Sequence, residues 1–178
     1  MRWLSRTVGV TLAVIVVAFV SQRLFGDRSM TPHLASSTPV AVIGAASGEP
    51  VAVAGDGTVL AWFPVPEEST LPDLPLDAPP KGPRVGGPVL EQVKVLAAAP
   101  AALRPYLAAS YYGESGVDVE LTTGIELRFG SAGQAARKWK AAAAVLAEPS
   151  VTALDYVDLH APSHPAVRGS GHALPPVP

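Results

Sequence analysis

The 178-residue sequence contains no cysteine. That absence excludes disulfides, thiolate metal centres and cysteine nucleophiles together. Charge is also scarce, at 16% of residues, and unevenly placed. Arg2, Arg6, Arg23 and Arg28 lie in the first 28 positions, which leaves nine basic and fourteen acidic side chains from Ser29 onward, a balance of −5. An acidic body repels phosphates, so nucleic acid is not an expected partner. Aromatic residues make up only 6%. What the sequence does have is apolar mass, 48% of the chain, enough for one packed domain with extensions.

Residues 8–20, VGVTLAVIVVAFV, carry no charge, and Thr7, Ser21 and Gln22 lengthen the uncharged run to sixteen. As a helix this covers roughly 24 Å, a little less than a bilayer core of about 30 Å. Arg6 and Arg23 flank the run and Trp3 and Phe25 suit the interface, which reads as a single transmembrane signal anchor over 7–25. A cleavable signal peptide is the competing reading, but Val20 and His33 stand where a cleavage site needs a small residue. The positive-inside rule puts residues 1–6 in the cytoplasm and the remainder outside the cell membrane, after a linker over 26–37.

Beyond the linker, PVAVI at 39–43 reads as a strand, and VAVAGDGTVLAWF as a hairpin turning at Asp56-Gly57. Residues 64–88 hold eight prolines, a density that predicts an extended connection without a central strand or a helix. Pro88 opens a helix over 88–99 with Val89, Val93 and Leu96 on one face, and Pro100 a second short one. Val117, Val119 and Leu121 alternate with polar residues, as do Ile125, Leu127 and Phe129 after Thr123-Gly124. This is the pattern of an antiparallel hairpin. Ser131 is read as the cap of a helix that buries Ala135, Trp139, Ala142 and Leu146 and turns Arg137, Lys138 and Lys140 to solvent. The expected fold is α+β: a mostly antiparallel β-sheet with helices packed on one face, spanning 38–169 and followed by a disordered tail over 170–178.

Candidate chemistry is thin. His160 and His164 are four apart, but Pro162 and Pro165 forbid the helix that would bring both imidazoles to one ion. Asp155 and Asp158 point to opposite faces of a strand, so they do not make a carboxylate pair. Trp62 and Trp139 are expected in the core, with one of Tyr111 and Tyr112 inside and one outside. No catalytic constellation, cofactor motif or small-molecule site is expected. The remaining candidate is the segment LDYVDLHAPSHPAV, 154–167, read as the last strand. Either its outer edge is open and takes a partner strand, or it is a buried central strand; the pattern alone leaves both open.

Taken together, TPVAVI, VAVAGDGTVLAWF, LPDLPLDAPPKGPRVGGP, VLEQVKVLAAAP, VDVELTTGIELRFGS, AARKWKAAAAVLA and LDYVDLHAPSHPAV, in this order, resemble the extracytoplasmic β-domain of the FtsQ/DivIB family of bacterial cell-division proteins. The resemblance implies a non-catalytic single-pass membrane scaffold of the division septum that binds FtsB/DivIC-like and FtsL-like proteins. It implies docking at Tyr156, Val157, Asp158 and Leu159 and at Ser163, His164, Pro165, Ala166 and Val167. The family normally carries a POTRA domain between membrane and β-domain. Here only Asp27 to Ser37 stand in its place, so the expected organisation lacks it. The alternative is an anchored metal-binding domain using His160 and His164, or a polymer-binding one using Tyr111, Tyr112 and Trp62.

Overall fold

The computed structural model describes residues 38–45 and 48–176. The expected cytoplasmic tail, signal anchor and linker lie outside them. Among the described residues, no helix is long and apolar enough to cross a membrane.

Nine strands form one sheet: β1 (Pro39–Ala45), β2 (Val51–Ala54), β3 (Val59–Leu60), β4 (Asp73–Leu76), β5 (Leu107–Gly113), β6 (Gly116–Leu121), β7 (Glu126–Gly130), β8 (Ala153–Asp158) and β9 (Ala166–Ala173). Their order across the sheet is β3-β2-β1-β4-β5-β6-β7-β8-β9. Two helices, α1 (Gly87–Ala97) and α2 (Ala135–Leu146), pack on one face. The sheet is mixed: five of its eight junctions are antiparallel, but β4 runs parallel to both β1 and β5, and β8 parallel to β7. Each parallel junction closes a chain crossover, and α1 and α2 lie in two of them.

The hairpin pattern at 117–129 folds as read, with Val117, Val119, Leu121, Leu127 and Phe129 fully or almost fully buried beneath the helices. The expectation of no central strand in the proline-rich connection is overturned: β4, with Pro75 inside it, sits in mid-sheet. Proline is tolerated there because β4 pairs with β5 only at Asp73↔Ala109, so the ladder on that side has lapsed before Pro75. The second short helix is only a 3₁₀ turn, Arg104–Tyr106.

Helix α2 buries Ala135, Trp139, Ala142 and Leu146, the face that its spacing indicates. Its cap is Gln134 in the left-handed region (φ 59°), not Ser131. Lys138 is buried rather than solvent-facing; its Nζ donates to the carbonyls of Phe129 (2.7 Å) and Ser131 (3.0 Å), tying the helix to the end of β7. Trp139 stacks obliquely on Phe129 at 4.8 Å and its Nε1 donates to the Val95 carbonyl at 2.7 Å, which joins α2 to α1. The other aromatic expectations fail: Trp62 is 70% exposed, and Tyr111 and Tyr112 are both exposed. Trp62 follows a strand of only two residues, too short to carry it back over the core.

Candidate partner-binding edge

A sheet has two outer edges, and here they end differently. At the β3 edge the 83–85 segment lies alongside: the Val59 amide donates to the Pro83 carbonyl and the Val85 amide to the Gly57 carbonyl, both at 2.8 Å. Arg84, bridged to Thr58 in the main chain, adds an ion pair to Asp56 at 2.9 Å. That edge is covered. At the other end, no strand lies beyond β9 among the described residues, and no main-chain hydrogen bond from another segment reaches it. All eight residues of β9 are exposed.

The sequence reading takes 154–167 as the last strand. The structure corrects this. β8 lies between β7 and β9, paired to both, and the edge belongs to β9, which runs through Ala173. Leu174 then packs against the core, and the Pro176 carbonyl accepts from the Tyr106 hydroxyl at 2.7 Å, where a disordered tail was expected.

The nine candidate residues therefore fall into three settings. Tyr156, Val157, Asp158 and Leu159 stand one strand back from the edge: Val157 and Leu159 are fully buried, and Tyr156 lies under the Arg128 guanidinium at 3.8 Å. Ser163, His164 and Pro165 belong to the β8–β9 connection. Ala166 and Val167 open β9, opposite Asp158 and Val157. Val167, on the helix-side face, is 48% exposed.

A polar cluster fixes the start of the connection. The Asp158 carboxylate accepts from the His160 amide (2.9 Å) and meets its Nδ1 (2.8 Å), while Nε2 approaches the Ser115 carbonyl at 3.3 Å. Partial burial pushes the Asp158 carboxyl upward, but the His160 amide and ring outweigh it and hold it below the ordinary value. Asp118, two strands away, shifts the other way: burial is the main cause and the Glu126 charge adds to it, with one oxygen unpaired. His164 meets only Ser163 Oγ, at 3.1 Å. Among the described residues, no group of three His, Cys, Asp or Glu side chains is arranged to hold a metal ion.

Sequence reasoning missed the last six residues of β9, RGSGHA. It has no apolar alternation, because neither of its faces is buried. Its glycines are the available signal. Gly169 has φ +88°, and a side chain there would overlap the Asp155 carboxylate; a side chain at Gly171 would come within 2.5 Å of it. The Gly171 amide donates to that carboxylate at 2.8 Å.

A mixed sheet backed by two helices, with one edge covered and one open, defines a class: a domain with main-chain pairing capacity at a single border. The sequence match then supplies the family. Residues 41–160 match the model described as cell division protein FtsQ/DivIB, C-terminal, and the chain belongs to that family. No curated protein matches the sequence. The family's proteins are non-catalytic scaffolds of the division complex, associated with the membrane, and the chain is not an enzyme.

Proposed function

We propose that this chain is a single-pass scaffold of the bacterial division complex, with a cytoplasmic N-terminus and an extracytoplasmic C-terminal domain acting at the septum. It binds FtsB/DivIC-like and FtsL-like partners, and its sheet takes up a partner strand along the free border of β9. Ala166 and Val167 make the main-chain contact, and Ser163, His164 and Pro165 flank its entrance. Tyr156 to Leu159 hold β9 in place from behind.

The observation that carries this reading is the contrast between the two edges. The β3 border is closed by residues 83–85, whereas the outer side of β9 has no neighbour among the described residues. Main-chain pairing gives such an edge affinity, and side chains on alternate positions give it selectivity.

The test is capture. Val167→Pro removes an edge amide and bends the strand, so it abolishes capture of the FtsB/DivIC-like protein while the melting transition is retained. Full capture by Val167→Pro, or a tagged chain that stays evenly spread in the membrane through septation, contradicts the proposal.

A further inference from the structure

The free edge is interrupted. Leu154 pairs with His172 and Tyr156 with Arg168, so the single residue Asp155 faces Gly169, Ser170 and Gly171. β9 carries two more residues than its neighbour there, a β-bulge of unusual size. Asp155 fills it: its carboxylate accepts from the Gly171 amide at 2.8 Å and occupies the space where side chains at 169 and 171 would stand. The irregularity extends into β8, where Leu154 and Val157 both enter the core although they are three positions apart, which a regular two-residue repeat forbids.

The bulge limits what the edge offers. On one side of it the regular stretch is Ala166 to Arg168, bounded by Pro165, which has no amide hydrogen, and by Gly169 at φ +88°. Only His172 and Ala173 lie beyond. Exposed edges are commonly protected by charge, proline, a bulge or a covering segment. The β3 edge has a covering segment. In β9 only Arg168 carries a permanent charge, so the bulge and Pro165 are its protection.

We propose that the Asp155-filled bulge is a length limiter that bars strand pairing between two copies of this chain. Two β9 strands meeting antiparallel about a two-fold axis centred on Val167 have three facing pairs: Val167 opposite Val167, and on either side Arg168 opposite the other copy's Ala166. So few pairs do not offset the freedom lost on association. A different chain escapes this limit by adding side-chain contacts beyond the strand. The inference concerns self-pairing and stands whether or not a partner strand binds.

The absence of cysteine from the sequence makes the test clean. In the full chain, solubilised in detergent, Val167→Cys reports self-pairing, because a two-fold centred there brings both sulfurs within disulfide reach. Under mild oxidation its dimer yield is expected to match that of Lys140→Cys, an exposed position on α2. Deleting Ser170 and Gly171 makes β9 continuous with β8 and is expected to raise the Val167→Cys dimer about tenfold, a gain typical of added pairing energy on the order of one decade. An unchanged yield overturns the proposal, as does strong cross-linking of the undeleted chain above the Lys140→Cys level. If the deletion removes the melting transition, Asp155→Val in the Val167→Cys background takes its place. It removes the acceptor of the Gly171 amide without shortening the strand; a raised yield supports the proposal and an unchanged one overturns it.

Discussion

Val157 and Val167 stand opposite each other across β8 and β9, yet Val157 is fully buried and Val167 is 48% exposed. Both lie on the helix-side face, so the difference marks where the core ends and the border begins. Val157→Ala removes buried methyl groups and leaves a cavity, an expected cost of about 2 kcal/mol. Val167→Ala is expected to change stability by less than about 0.5 kcal/mol. Urea unfolding of the two variants measures both. Equal costs show that the border does not run between these strands.

Lys138 is a buried cation with carbonyl partners and no carboxylate. Lys138→Ala leaves the Phe129 and Ser131 carbonyls without their donor, an expected loss of roughly 1–3 kcal/mol. Burial lowers the lysine's pKa below 10.5, so the unfolded chain binds the proton more readily. Stability therefore rises as pH climbs through the folded value toward 10.5, and Lys138→Met removes that slope. Melting curves across alkaline pH check this.

Asp118 and Asp158 are expected to titrate on opposite sides of the ordinary carboxyl value of 3.8. The lowered Asp158 contributes stability that is present above 3.8 and lost as pH falls through its folded value. The raised Asp118 imposes a penalty at neutral pH that is relieved as pH falls through its folded value, and is gone below 3.8. Asp118→Asn is therefore expected to raise the melting temperature by a few degrees at pH 7 and to lose that advantage in acid. Carbon-detected NMR of the carboxyl groups orders the two titrations directly.

Much of this fold is legible where burial imposes a period. The alternation at 117–129 and the helical spacing of Ala135, Trp139, Ala142 and Leu146 each report a face pressed against the core. β4 is illegible because Pro75 argues against a strand unless it is known that pairing on one side stops at Asp73. Lys138 is illegible because nothing local shows that two carbonyls end within its reach. Trp62 carries apolar mass without an element long enough to bury it. The candidate edge is the sharpest case. The LDYVDL segment has the composition of a terminal strand, and the true terminal strand has almost no strand composition, because an edge exposed on both faces has no core to write a pattern into it.

The most direct measurement of the central claim is amide hydrogen exchange on the full chain, alone and in complex with the FtsB/DivIC-like protein. In the free chain, Tyr156 to Asp158 are expected to exchange slowly, being paired on both sides, while Ala166 to Arg168, paired on one side only, exchange faster. In the complex, exchange is expected to slow at Ala166 to Arg168 and to stay unchanged at Thr58 to Leu60. Protection that appears elsewhere and leaves Ala166 to Arg168 as fast as before contradicts the account.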